Sequence, residues 1–200
     1  MDEDAVALVA AALGTSTARA RRLARTALPP GFARSARRAG EQGRAVLLVE
    51  GTTDAAVLGP LLSGPAGPVV LAVGGKHPMP LAGAVAQAVG ASWHAVVDGD
   101  ADGWRRARNR SRARTAHRRA TAEVLRQLPP QRVTVLPDAL EAELALWPSF
   151  VAALRAHGGD LTGPGAKDPA RYAAAAADAD PADAPARLLA LRATPPPPPR

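Results

Sequence analysis

The sequence predicts an α/β fold in which helices flank a mostly parallel, four-stranded sheet. Four short apolar runs of strand length, at 44–50, 68–73, 92–98 and 131–136, alternate with Ala- and Leu-rich stretches of helical length. This alternation is typical of βαβ units, in which consecutive strands run parallel. The chain has 200 residues and 47% of them are hydrophobic, which is enough to fill a sizeable core.

Helices are predicted before, between and after these strands. Residues 4–40 are rich in Ala, Leu and Arg and are interrupted at Pro29-Pro30-Gly31, so we expect a helical preface to the sheet. The later helices are predicted at 53–63, 78–90, 104–128, 138–146, 148–157, 169–178 and 184–192. The resulting organisation is a basic helical segment (1–43), an α/β domain (44–175), a C-terminal helix (176–194) and a disordered proline tail (195–200).

The composition excludes several classes of protein. The chain contains no cysteine, so disulfides, thiolate zinc sites and cysteine nucleophiles are excluded. No apolar stretch has the length of a membrane span, and the start, Met1-Asp2-Glu3-Asp4, is acidic where a signal peptide is basic. We therefore expect a cytoplasmic protein without a membrane partner.

The net charge of +7 is unevenly distributed along the chain. Residues 1–44 carry eight arginines against four acids, and residues 98–132 carry ten arginines against four acids. The segments 45–97 and 133–200 are both slightly acidic. Basic segments beside an acidic centre suit a metal-dependent nuclease, because cations hold the phosphate backbone and acids hold the metal. Solvated helix faces in an arginine-biased protein are the alternative interpretation.

Acidic residues follow two of the predicted strands. One apolar run ends in Glu50, and another ends in Asp98 and Asp100. Because the carboxyl ends of parallel strands meet at one edge of a sheet, we expect these carboxylates to converge there. Clustered carboxylates repel one another unless a cation lies between them. The pattern therefore predicts a site for Mg²⁺ or Mn²⁺, with two ions as the expected number.

These motifs resemble a Toprim domain, the metal-binding fold of topoisomerases, primases and several nucleases. Val49-Glu50-Gly51-x-x-Asp54 closes one strand, and Asp98-x-Asp100-x-x-Gly103 closes a later one. Asp54 itself, Gly74-Gly75-Lys76 after the second strand and Leu140-Glu141-Ala142-Glu143-Leu144 after the fourth resemble the nuclease domain of the OLD (overcoming lysogenization defect) family. The resemblance covers about residues 44–175. It implies a Toprim (Rossmann-like) fold and a Mg²⁺-dependent endonuclease, for which DNA is the preferred expectation over RNA as the substrate.

The resemblance also implies roles for individual residues. Glu50 and Asp54 would bind one metal ion, and Asp98 and Asp100 would bind metal from the opposite side. Glu141 would complete the carboxylate set. A late basic residue near the scissile phosphate would be Lys167. The residues expected to be catalytic are Glu50, Asp98, Asp100 and Lys167.

Lys76 and an arginine-rich helix are the predicted contacts to nucleic acid. Lysine occurs only at Lys76 and Lys167 among 25 basic residues, which draws attention to both. The helix predicted from residue 104 would lie along the phosphate backbone without reading sequence. The predicted contacts are Lys76, Arg105, Arg106, Arg108 and Arg112.

Two assignments stay open at this point. Glu143 competes with Glu141 as a ligand, and we prefer Glu141 from its place in the motif. Asp102 either joins the site or caps the helix predicted from Trp104, and we favour the cap.

The resemblance leaves the partners and the activity open as well. Typical OLD proteins carry an ATPase module ahead of the Toprim domain, and residues 1–43 cannot encode one. The chain is therefore a standalone nuclease domain or acts with a separately encoded ATPase, and a homodimer is also open. Two alternatives to a nuclease are a binding module with an inactive site and another nucleotidyl transfer or hydrolysis activity on the same fold.

Overall fold

A computed structural model describes residues 1–100, 110–162 and 167–193, with the side chains of residues 110–114 and 117 excepted. The predicted α/β class is confirmed, because the strands form one parallel sheet flanked by helices. The strands are β1 (Val46–Val49), β2 (Val69–Ala72), β3 (Trp93–Asp98) and β4 (Val133–Leu136). Each lies inside one of the four apolar runs from which it was predicted.

The helices also follow the prediction closely. They are α1 (Glu3–Ala12), α2 (Thr17–Thr26), α3 (Phe32–Glu41), α4 (Thr52–Leu61), α5 (Met79–Ala88), α6 (Arg110–Gln127), α7 (Leu140–Leu144), α8 (Pro148–Ala156), α9 (Pro169–Asp178) and α10 (Ala186–Ala190). The predicted start of the 104–128 helix and the proline tail lie outside the described residues. No helix in the described part of the chain is both long enough and apolar enough to cross a membrane.

The N-terminal helical segment is broken at one more place than predicted. The sequence indicated an interruption at 29–31, and the structure adds a second one between α1 and α2. Gly14 adopts a left-handed conformation with φ of +57° and ends the first helix. Ser16 then caps the second helix, because its hydroxyl accepts a hydrogen bond from the amide of Arg19 at 3.3 Å. Gly14 and Ser16 therefore turn the chain through a corner between α1 and α2.

The sheet is covered on both faces. Successive residues of a strand point to opposite faces, and β1 shows this directly. Val46 and Leu48 are buried in a core formed with α1, α2, α3, α5 and α6. Leu47 and Val49 are buried in a second core formed with α4, α7, α8, α9 and α10. The result is a three-layered, Rossmann-like arrangement.

The strand order places a crevice between β1 and β3. The order across the sheet is β2-β1-β3-β4, and every neighbouring pair is parallel. After β1 the chain continues to β2 on one side, and after β3 it continues to β4 on the other. Ligands of open α/β sheets bind at such a reversal, outside the carboxyl ends of the strands. Glu50 and Asp98 lie at these two ends.

Candidate metal centre

The carboxyl ends of β1 and β3 bring Glu50 and Asp98 together. The amide of Asp98 donates a hydrogen bond to Oε1 of Glu50 at 2.9 Å. The Glu50 side chain is only 18% exposed, so this contact holds a carboxylate inside the crevice. A pair of parallel strands therefore delivers two acids to one point, as the sequence pattern indicated.

Asp54 joins them from the first turn of α4. Its Oδ2 accepts a hydrogen bond from the amide of Gly51 at 2.7 Å, which satisfies one of the unpaired donors at the start of that helix. A carboxylate in this position is also stabilised by the helix dipole. The hydrogen bond turns Asp54 back toward the end of β1, on the side where Glu50 lies.

Glu141 enters the site because the ends of β3 and β4 are in close contact. Oδ1 of Asp98 accepts a hydrogen bond from the amide of Leu140 at 3.1 Å, which ties the start of α7 to the end of β3. Gly99 permits the approach, since a Cβ atom there would lie 2.3 Å from the carbonyl oxygen of Leu136. Glu141, the next residue of α7, is 6% exposed.

A glycine turn after β2 positions Lys76. Gly74 and Gly75 have φ angles of +88° and +119°, which other residues rarely adopt. Their amides donate to the carbonyl oxygen of Glu50 at 3.0 and 2.8 Å, so the turn wraps around the end of β1. Lys76 Nζ then pairs with Asp100, donates to Thr121 Oγ1 at 3.1 Å and lies 3.8 Å from Glu50 Oε1.

Lys167 reaches the cluster from the segment ahead of α9. Its Nζ lies 2.9 Å from Oε1 of Glu141, and its carbonyl oxygen accepts a hydrogen bond from Thr53 Oγ1 at 3.3 Å. Lys167 and Asp100 are the two non-glycine residues with positive φ in the described ranges, at +76° and +52°. Such conformations cost energy and tend to occur at functional sites, and both of these residues border the same cluster.

Burial, and to a smaller extent repulsion between neighbouring carboxylates, raises the pKa values of three acids of the cluster. Burial, followed by repulsion from Glu50, Asp54 and Glu141, raises the pKa of Asp98 to about 8. Burial raises the pKa of Glu50 to about 7, although Lys76 opposes the rise. Burial also raises the pKa of Asp54. The fully ionised form of the carboxylate cluster is therefore disfavoured when no cation is bound.

Lys167 responds in the opposite sense to this charge. Burial alone would lower its pKa, but the ion pair with Glu141 and the nearby Asp54 and Asp98 raise it above the usual value for lysine. Lys167 is therefore a cation at neutral pH, and its ammonium group lies where a cation is stabilised.

The donor chemistry of this cluster fits a hard divalent cation. Carboxylate oxygens are the ligands that Mg²⁺ and Mn²⁺ prefer, and the cluster offers five carboxylates from three stretches of the chain. These carboxylates are Glu50, Asp54, Asp98, Asp100 and Glu141. Within the described residues no three acidic or histidine side chains are grouped closely enough to hold a metal ion as they stand. The ammonium groups of Lys76 and Lys167 instead lie among the carboxylates.

The structure separates the two glutamates of α7. Glu141 pairs with Lys167 at the cluster, whereas Glu143 is buried in an ion pair with Arg187 of α10. The two side chains therefore have different partners, although only Ala142 lies between them in the sequence.

Several predicted contacts fall outside the described residues. Asp102, Arg105, Arg106 and Arg108 lie in the stretch 101–109, and the side chain of Arg112 is likewise not described. Of the five predicted contacts to nucleic acid, Lys76 has a side chain that the structure describes. Asp100 and Thr121 hold this side chain at the cluster.

Sequence reasoning did not single out Thr121 or Thr53 for the site. Thr121 lies on α6, 45 residues from Lys76 along the chain, and Thr53 is 114 residues from Lys167. Both are buried, with 8% and 6% exposure. A buried threonine on a polar helix is a weak signal for Thr121, and no short spacing links either residue to its partner.

Comparisons of the chain with protein-family models, with curated proteins and with solved structures found no match in any of the three.

Proposed function

We propose that this protein is a Mg²⁺- or Mn²⁺-dependent nuclease that hydrolyses phosphodiester bonds in DNA, with a site like that of Toprim domains and of OLD-family nucleases. The observation that carries the proposal is the convergence of five carboxylates and two lysines at the crevice between β1 and β3. A purely structural cluster would leave so many desolvated acids at a considerable cost in stability. Such a cost is typical of sites that bind a cation.

Five side chains would hold the metal. Glu50 and Asp54 would contribute from the end of β1 and the start of α4, Asp98 and Asp100 from the end of β3, and Glu141 from α7. When bound, Mg²⁺ or Mn²⁺ supplies a Lewis acid that polarises the phosphodiester and lowers the pKa of a water molecule.

The two lysines would act on the phosphate. Their ammonium groups now pair with Asp100 and Glu141, the same carboxylates that a divalent cation would neutralise. With that charge neutralised, Lys76 and Lys167 are available to pair with phosphate oxygens as negative charge develops on them. Lys167 is the better placed for this role, because its side chain is 56% exposed whereas that of Lys76 is 9% exposed.

A covalent tyrosine intermediate is not part of the proposal. Tyr172 is the only tyrosine in the chain, and it is 1% exposed against Phe150. Its hydroxyl donates to the carbonyl oxygen of Asp160 at 3.4 Å. Direct attack by water therefore suits this site better than attack by a protein side chain.

Nicking of supercoiled plasmid tests the proposal. The wild-type protein is expected to nick the plasmid with Mg²⁺ or Mn²⁺ and not with EDTA, and Asp98→Asn and Asp100→Asn are expected to abolish the nicking. Asp178→Asn is a matched control, because Asp178 is an exposed acid that pairs with His157. Nicking that persists in both site variants would disprove the assignment.

We also propose a substrate, a partner and a cellular location for this activity. DNA is proposed as the substrate, and a separately encoded ATPase or a second copy of the chain as the partner, acting in the cytoplasm. The arginines of α6 that the structure describes, such as Arg118 and Arg119, are exposed and suit contact with a phosphate backbone. Pull-down from cell extract with the intact chain would identify an ATPase partner.

A further inference from the structure

A cleft lies on the face of the sheet that α1 and α2 cover. It lies between the corner that joins these two helices and the start of α5, and its volume is about 480 Å³. Sites for small ligands typically measure about 300 to 1,000 Å³. The cleft is therefore large enough for a ligand of nucleotide size.

The lining of the cleft combines an apolar wall with a polar rim. Leu13, Leu23 and Leu81 form the wall. Arg19 and His77 lie on the rim, and both are exposed. This combination suits a ligand with an apolar, planar part and an anionic part.

One residue of the cleft lining is the chain neighbour of a residue of the candidate metal centre. His77 directly follows Lys76, whose ammonium group lies among the carboxylates. His77 also lines a second cleft with Arg119 and Arg126 of α6. Lys76 donates a hydrogen bond to Thr121 of α6, and the neighbours of Thr121 in the chain, Ala120 and Ala122, line the second cleft.

The charge of this surface favours an anionic ligand. In the second cleft Arg126 pairs with Glu123, and Arg119 adds a further positive charge. Within the described residues Arg19 forms no ion pair, whereas Arg21 on the same helix pairs with Glu3. A polyanion that leaves the metal centre past His77 would meet Arg19 on one side and Arg119 on the other.

We propose that the cleft between the α1–α2 corner and α5 binds one nucleotide of a nucleic-acid strand, adjacent to the phosphodiester at the metal centre. The sugar and base pack against Leu13, Leu23 and Leu81, and the phosphate lies at Arg19 and His77. The inference rests on the proposed function in that the strand is the nuclease substrate. It makes the N-terminal helices part of the substrate site.

Binding of short labelled oligonucleotides tests the inference without cleavage. The probes are a fluorescein-labelled single-stranded DNA of 12 nucleotides and an RNA of the same sequence, measured by anisotropy in EDTA. The variants are Arg19→Gln, which removes the rim charge, and Thr15→Phe, which fills the cleft from a half-buried lining position. Thermal unfolding followed by circular dichroism confirms that each variant is folded.

Arg38→Gln is the matched control. Arg38 is an exposed arginine in the last turn of α3, which ends just ahead of β1 and so lies at the opposite edge of the sheet. We expect Arg19→Gln and Thr15→Phe to weaken binding about tenfold, and Arg38→Gln to change it less than about twofold. Arg19→Gln should also lower the slope of log affinity against log salt by about 0.7, the value for one contact to a single strand.

The outcomes separate this inference from the proposed function. It is overturned if neither probe binds, if both cleft variants bind like the wild type, or if Arg38→Gln loses as much affinity as Arg19→Gln. Selective loss in the cleft variants supports it even where the protein cleaves nothing, in which case the nuclease proposal alone fails. A protein whose cleavage depends on Asp98, and whose two cleft variants bind and cleave like the wild type, would disprove the proposed role of the cleft. The nuclease proposal would then still hold. Tighter binding of either the DNA or the RNA probe shows whether the cleft prefers deoxyribose or ribose.

Discussion

The amide of Asp98 donates a hydrogen bond over 2.9 Å to Oε1 of Glu50, and this contact joins β3 to β1 at the carboxyl edge of the sheet. It directs the Glu50 carboxylate toward the crevice where the chain connections diverge. Asp98 in turn accepts a hydrogen bond from the amide of Leu140, so its own carboxylate is also oriented by backbone. The spacing of the two acids is therefore set by the sheet and by α7, which favours a preorganised site.

The stability of the metal-free protein is expected to fall as the pH rises. The pKa values of Glu50 and Asp98 are raised in the folded state, to about 7 and about 8. Between the ordinary pKa of each group and its raised pKa, the folded protein therefore binds more protons than the unfolded chain. Stability that is present at acidic pH is lost as the pH rises through this range. Urea unfolding in EDTA at about pH 5 and about pH 9 measures this.

Asp98→Asn and Mg²⁺ provide the controls for that experiment. The variant keeps an oxygen for the Leu140 amide but carries no charge, so its stability should depend less on pH and exceed that of the wild type at alkaline pH. Mg²⁺ should stabilise the wild type more at alkaline than at acidic pH. A wild-type protein that grows more stable in EDTA toward alkaline pH would contradict the assignment of a desolvated carboxylate cluster.

Glutamine substitutions at the two glutamates of α7 are expected to have opposite effects. Glu141→Gln should reduce cleavage at least about 100-fold with little loss of stability, because Glu141 pairs with Lys167 in the candidate metal centre. Glu143→Gln should cost about 1–2 kcal/mol of stability and leave the activity of the folded protein unchanged, since it breaks the pair with the half-exposed Arg187. Nicking and urea unfolding of both variants test this, and the reverse pattern would exchange the two roles.

Replacement of Lys76 by methionine is expected to strengthen metal binding and weaken catalysis. The ammonium group of Lys76 lies between Asp100 and Glu50 and competes with a divalent cation for their charge. Its removal should raise Mn²⁺ affinity about tenfold, measured by calorimetry, while nicking decreases. Arg155→Met is the control, because Arg155 is an exposed cation of α8. Unchanged or weaker Mn²⁺ binding in Lys76→Met would show that the lysine does not compete.

Alanine at two glycines should change stability by different amounts. At Gly99 a Cβ atom would lie 2.3 Å from the carbonyl oxygen of Leu136, so Gly99→Ala should cost about 2–4 kcal/mol and disturb the metal centre. At Gly59, inside α4, a Cβ atom would meet nothing within 4 Å apart from its chain neighbours. Pro60 follows and disfavours the helical conformation of a preceding residue that has a Cβ, which offsets the gain from replacing a helical glycine, so Gly59→Ala should change stability by less than about 1 kcal/mol. Urea unfolding measures both. Equal effects would mean that the ends of β3 and β4 are not in close contact.

Much of the site was predictable because strands impose a simple periodicity. An apolar run followed by an acid locates a strand and its end, so the sequence alone predicts that Glu50 and Asp98 lie at one edge of the sheet. The break at Gly14 was missed, because a single glycine among helix-forming residues is a weak signal compared with Pro29-Pro30-Gly31. Thr121 was missed since its partner, Lys76, is distant in the chain.

By itself the sequence determined the α/β class, the four strands and the acids at the ends of β1 and β3, because alternation of apolar runs and helical stretches is a local property. Only the tertiary structure decided that Glu141 and not Glu143 faces the cluster, that Lys76 and Lys167 lie among the carboxylates, and that the α1–α2 corner forms a cleft with the start of α5. These relationships depend on how helices pack on a twisted sheet. Packing brings together residues whose separation along the chain carries no pattern.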